Sequence, residues 1–244
     1  MMKNMPPYAN ACLLLADGTV FFGNGLGATG ITAGEICFNT AMTGYQEVLT
    51  DLSFAGQIIT FTFPHIGNIG CNEEDNEAVR PAASGLVLRE LPTAPSSFRS
   101  KGSFNDWLIA NNLTGIYGVD TRALTRHIRK AGAQNAVIFH AKKGEAINVD
   151  ALRKALSECP DMNGRELAAG VSTSKAYEWN QTAWKLGTGF GTLDKHSYHV
   201  VAIDYGEKLN ILRRLAERGC TVTVVPATTS AEDILKYQPD GLFL

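Results

Sequence analysis

Neither sign of charge is in excess: 22 Lys and Arg stand against 24 Asp and Glu in 244 residues, a formal net charge of −2. That balance removes any general electrostatic pull toward nucleic-acid phosphates or an anionic membrane, so neither is expected as a partner. Long apolar runs are missing too. Residues 1–10 carry one Lys and two prolines, and the apolar run that follows, residues 11–15, is far too short for a signal h-region or a membrane span. A cytoplasmic location is therefore expected. The five cysteines (Cys12, Cys37, Cys71, Cys159, Cys220) are odd in number and nowhere spaced C-x-x-C, which speaks against a disulfide framework or a zinc ribbon and for reduced, packed thiols. No G-x-x-x-x-G-K-[ST] occurs. Gly25, Gly27 and Gly30 spell G-x-G-x-x-G, but a hairpin precedes them and a strand follows, so the β-α unit that a dinucleotide loop needs is absent.

What is present reads first as β-structure. Apolar residues 12–15 and 19–22 flank Asp17-Gly18, a dipeptide that supplies the positive φ of a tight hairpin, and the glycines at 23, 25, 27 and 30 then predict a loop with unusual backbone angles. Strands are expected at 35–39, at 57–63 before Pro64, and at 85–88. Helices enter with Ser103, which has Asp106 three residues on, and with Asp120 before the pattern 121–130 and Gly132 after it. A strand at 136–139 and a helix at 149–157 complete a mixed region, residues 1–158. The stretch 159–196, interrupted by Pro160, Asn163-Gly164 and the glycines at 187, 189 and 191, reads as a linker.

From residue 197 the pattern changes to strand, helix, strand, helix, strand: 199–203, 209–218, 221–225, a Ser230-capped helix to Tyr237, and 241–244. Alternation of this kind calls for a parallel sheet with helices on both faces. The expectation is an α/β chain: a mixed β-rich first domain, then the opening of a flavodoxin-like parallel-sheet domain that breaks off at Leu244.

Three segments carry a family resemblance: GEICFNTAMTGYQEVLTD at 34–51 followed by Ser53, FPHIGNIG at 63–70, and VVAIDYGEKLNILRRLAERGCTVTVVP at 200–226. With GLVLRELP, DTRALTR and GAQN between them, they resemble the small subunit of carbamoyl-phosphate synthetase along essentially the whole chain, the last segment matching the first β-α-β of its class I glutamine amidotransferase domain. The resemblance implies a subunit that hydrolyses L-glutamine and passes ammonia to a large subunit. There ATP, metal ions and bicarbonate would be used to make carbamoyl phosphate for the arginine and pyrimidine pathways. The chemistry it implies is a Cys thiolate activated by His and oriented by a carboxylate, with backbone N–H groups holding the oxyanion. In the family these lie in a Gly-Cys-Leu-Gly-type turn and later, so no catalytic residue is assigned here, and these 244 residues alone are expected to be inactive.

The resemblance places one glutamine contact in this sequence, Ser53, half of a site completed from the other domain; the plain alternative is a turn-forming serine. Tyr45, Gln46 and Glu47 read as shaping a loop, and residues 204–208 as a polar turn with a solvated Lys208. Cys220 reads as a packed thiol, and His65 has no Cys or His at ligand spacing, so no metal site and no cofactor in this chain are expected. Arg122, Arg126 and Arg129 share a helix face, a solvated stripe or a docking surface for the large subunit. Two other readings stay open: a large-subunit docking module without catalysis, and an unrelated nucleotide-binding or oxidoreductase protein, suggested by the alternating pattern alone.

Overall fold

A computed structural model describes residues 6–244; the first five residues of the N-terminal stretch lie outside it. The chain divides into two compact units, the first ending at Arg165 and the second running Glu166–Leu244. The elements of the first unit are β1 (Ala11–Leu15), β2 (Val20–Gly27), β3 (Gly30–Asn39), α1 (Tyr45–Thr50), β4 (Gln57–Phe61), β5 (Gly85–Val87), α2 (Phe104–Ala110), β6 (Thr114–Tyr117), α3 (Thr121–Ala131), β7 (Gln134–His140) and α4 (Val149–Glu158). The strands close into a barrel in the order β1-β2-β6-β5-β4-β3-β7. Closure is made where β1 pairs antiparallel with β7, Ala11 opposite His140 and Leu15 opposite Ala136.

Alternation along the strands sorts the core. Leu13, Ile36, Ile58, Val87, Ile116 and Ile138 meet inside the barrel together with Leu124 and Ile128 of α3. The intervening Cys12, Leu14, Val137 and Phe139 point outward and are covered by Leu152 of α4. A third cluster sets Tyr45 and Leu49 of α1 and Phe104 and Leu108 of α2 over Ile59, Phe61, Leu86 and Leu88.

The hairpin around Gly18 (φ 87) is found, but the glycine-rich loop expected behind it is mostly strand, since β2 runs through Gly23 and Gly25. The reason is close approach. A Cβ on Gly25 would stand 1.8 Å from the His140 ring, and one on Gly23 would stand 2.3 Å from the Tyr117 carbonyl oxygen. Glycine is needed here for space within a strand, not for a loop.

The second unit contains α5 (Ala168–Val171), β8 (Tyr177–Trp179), β9 (Gln181–Lys185), β10 (Gly189–Thr192), β11 (Tyr198–Asp204), α6 (Leu209–Glu217), β12 (Cys220–Pro226), α7 (Ala231–Lys236) and β13 (Gly241–Phe243). Its main sheet has the order β13-β11-β12-β8. β11 is parallel to both β12 and β13, and β8 adds an antiparallel edge strand to β12. Leu212 of α6 packs on Ala202, Val222 and Val224, while Ile234 of α7 packs on Val201, Ile203 and Val225, so each face of the parallel strands has a helix.

The stretch 159–196 is not the structureless connector its composition suggests. β9 and β10 form a hairpin held by buried Arg213, whose guanidinium lies 4.1 Å from the Phe190 ring centre and 5.9 Å from that of Trp179, and whose Nε donates to Gln181 at 2.9 Å. Cation–π stacking supplies an order here that apolar periodicity does not announce. Among the described residues no helix is long and apolar enough to cross a membrane.

Candidate functional site

Ser53 is placed by the helix before it. Gly44, at φ 78, takes a backbone angle that favours glycine and opens α1, and Tyr45 then inserts its ring 4.7 Å from that of Phe104 and donates its hydroxyl to the Gly70 carbonyl at 2.6 Å. The helix stops at Asp51, which is only 4% exposed and whose carboxylate accepts the Ser53 N–H at 3.0 Å. That bond starts the short 3-10 turn Leu52–Phe54 and leaves Ser53 on the surface. An exposed hydroxyl on a turn anchored at a buried carboxylate can both donate to and accept from an amino-acid ligand.

The neighbouring Gln46 is 2% exposed, and its amide is fully employed. Its Nε2 donates to the Asn72 carbonyl and, at 2.7 Å, to Asn76, while its Oε1 accepts the Asn72 N–H at 3.1 Å. Asn72 in turn accepts from the N–H groups of Glu74 and Asp75, and Arg99 reaches Asp75 at 2.6 Å and Glu74 at 3.3 Å. Burial pushes the Glu47 carboxyl above its ordinary range; the charges of Asp75 and Glu77 add to this and Arg99 opposes it. These bonds latch residues 70–78 onto α1, the loop-shaping role expected for residues 45–47.

In the second unit the turn after β11 is polar, as expected, but its first carboxylate is buried. Asp204 is 6% exposed and takes three backbone donors: Thr173 N at 2.6 Å, Gly206 N at 2.9 Å and Glu207 N at 3.3 Å. Lys208, expected to be solvated, is half-buried and stands at the N-cap of α6. Glu207, a further residue of this turn, has both carboxylate oxygens buried without a hydrogen-bond partner. Its only sequence signal is a carboxylate three residues after Asp204 at the end of a parallel strand, the edge where open α/β sheets hold ligands. A groove of about 410 Å³ is lined by Tyr177, Glu178, His199, Thr221, Thr223 and Tyr237.

Ser53 belongs to the first unit and residues 204–208 to the second. His65 is exposed, with its ring edge-on to Phe63 at 6.0 Å. Arg122, Arg126 and Arg129 are exposed along α3, while His127 between them turns to Asp17 at 2.5 Å. Cys220 opens β12 and is half-buried. Burial drives the thiols of Cys12, Cys37 and Cys71 up to about 12, with acidic neighbours adding to it for the latter two. Among the described residues no group of three or more His, Cys, Asp or Glu is placed to hold a metal ion.

Comparison with known proteins gives this geometry its context. The carbamoyl-phosphate synthase small chain, CPSase domain, family model matches residues 13–138, which run from within β1 to within β7 and include the Ser53 turn. The carbamoyl phosphate synthase small chain of Bradyrhizobium diazoefficiens is 55% identical over 238 residues, 96% of this chain and 60% of that one. Those of Ralstonia nicotianae and Rubrivivax gelatinosus are 51% and 49% identical over all of this chain, and over 63% and 64% of their own lengths. The chain thus spans somewhat over three fifths of the length of these relatives. With more than half of its residues matched by the family model and about half identical to such proteins throughout, the chain belongs to the carbamoyl-phosphate synthase small chain family.

Proposed function

We propose that the chain is the glutamine-handling subunit of a carbamoyl-phosphate synthase, whose complete form hydrolyses L-glutamine and delivers ammonia to a large subunit that uses ATP. The observation that carries this reading is the identity to named small chains along the whole chain. In it Ser53 contributes a hydroxyl to bound glutamine from the first unit, a role supported by its exposure on the Asp51-anchored turn. The complex would work in the cytoplasm, in keeping with five cysteines that are all free.

Within these 244 residues we infer docking rather than glutamine cleavage. An amidotransferase nucleophile must ionise near neutral pH and stand on a strand-to-helix turn, whereas burial pushes the thiols of Cys12, Cys37, Cys71 and Cys159 up and Cys220 opens a strand behind a helix. The deciding experiment copurifies the chain with a carbamoyl-phosphate synthase large subunit and assays glutamine hydrolysis. Firm association without turnover is expected; turnover by the chain itself would overturn the docking reading, and no association would overturn the subunit role. In a complete glutamine-dependent complex, Ser53→Ala should raise KM for glutamine about tenfold, the loss of one hydrogen bond to a charged ligand group, while synthesis from added ammonia is unchanged. An equal loss with both nitrogen sources would refute the contact.

A further inference from the structure

Glu207 is the one acidic group in the second unit whose carboxylate oxygens are both buried without a hydrogen-bond partner among the described residues. Its surroundings make that costly. Asp204 lies on the same turn with both of its oxygens already taken by backbone N–H groups, so it offers Glu207 charge and no donor. Tyr177 of β8, though more than a third exposed, feels the same charges: partial burial and then the charges of Glu207 and Asp204 push its hydroxyl up to about 12.

Residues 172–177 cross the carboxyl ends of the parallel strands on two short ties. The Ser172 hydroxyl accepts the Ala227 N–H, just beyond β12, at 2.9 Å, and the Thr173 N–H donates to Asp204, at the end of β11, at 2.6 Å. Tyr177 then enters the sheet opposite Val224. We propose that residues 172–177 are a strap over the carboxyl ends of β11 and β12, and that the strap closes only while Glu207 holds a proton. With Glu207 neutral, its carboxyl adds no second charge beside Asp204 and the ties hold. On ionisation two carboxylates are confined together, and the strap lifts so that water reaches Glu207 and the sheet end opens. The proposal is independent of glutamine and of any large subunit.

The direction with pH follows from linkage. Burial, with the Asp204 charge adding to it, pushes the Glu207 carboxyl up to about 7 in the closed form, against about 4.3 for a solvated glutamate. Closing therefore takes up a proton: it is favoured most below about pH 4.3 and is lost as pH rises through about 7. Tyr177 keeps its proton throughout this window and does not confuse the reading.

The test is hydrogen exchange at the Thr173 and Ala227 amides of the whole chain from pH 6 to pH 9, each rate divided by the intrinsic rate at that pH. Protection in the wild type should fall about tenfold across the window, the equivalent of one unit of proton linkage after solvent screening, and Glu207→Gln should keep its protection. A parallel fall in both proteins, or none in the wild type, overturns the proposal. Should the variant not fold, the carbon-13 signal of the wild-type Glu207 carboxyl decides: a midpoint near 7 sustains the strap and one in the ordinary carboxylate range removes it.

Discussion

Replacing Gln46 with leucine would keep most of the side chain's volume and remove all of its hydrogen bonding. Two backbone groups of Asn72, itself 7% exposed, would lose their partner, and so would the Asn76 side chain. A stranded buried polar group costs about 1–3 kcal/mol, and the loop has some freedom to tilt toward water, so Gln46→Leu should destabilise the first unit by about 2–4 kcal/mol. Urea unfolding followed by tryptophan fluorescence is the assay, with Trp179 and Trp184 of the second unit replaced by phenylalanine so that Trp107, which packs in the first, gives the signal. At a slope of roughly 2 kcal/mol per molar urea the midpoint should drop by about 1–2 M with the slope unchanged. Asn76→Ala made alone and with Gln46→Leu closes a double-mutant cycle, in which the costs should fall short of additive because the 2.7 Å bond is lost only once. A midpoint shift worth less than about 0.5 kcal/mol, the scale of an ordinary surface change, would refute the view that this network holds residues 70–78 in place.

Three other outcomes follow from packing and charge. Gly25→Ala forces the His140 ring off its site and off the Ala28 carbonyl, which its Nδ1 meets at 3.0 Å; overpacking and a lost bond together should cost about 2–4 kcal/mol, read by thermal unfolding of the first unit. Asp17 is opposed by burial, but hydrogen bonds from Thr19, His127 and Gln134 outweigh it and hold the carboxyl well below the usual range. Its contribution is present above about pH 4 and lost as pH falls below it, so Asp17→Asn should lessen the loss of stability on acidification, which a denaturation series from pH 6 to pH 2 would measure. Arg213→Lys keeps the charge but not the planar stack on Phe190 and Trp179, and should cost about 1–2 kcal/mol and expose the β9–β10 hairpin to protease cleavage at residues 186–188.

Local signals were readable in the sequence because their physics is local. Asp17-Gly18, Ser103 with Asp106, Asp120 and Ser230 mark a turn and three helix starts within a few residues, and each forms as expected, the three caps accepting from Asp106, Ala123 and Asp233. α1 was invisible for the converse reason: it is six residues long and starts on Gly44 with no side-chain cap. β6 and the closure of the barrel depend on partners far away in sequence, and nothing in residues 114–117 names β2 or β5 as neighbours. Of the candidate site, Ser53 came from the family resemblance and not from composition. Glu207 stayed hidden because whether a turn carboxylate is buried depends on how distant parts of the chain fold around it, which the residues beside it in sequence do not show.

The seam between β1 and β7 has a consequence in time. Every residue of β1 is buried, yet its partners run from Ala136 to His140, so during synthesis an all-apolar strand must wait while some 120 further residues are made. At roughly 5–20 residues per second that is on the order of ten seconds during which β1 has only β2 to pair with. The barrel cannot be assembled progressively from its N-terminus, and its first strand is a ready target for a chaperone until the last one leaves the ribosome.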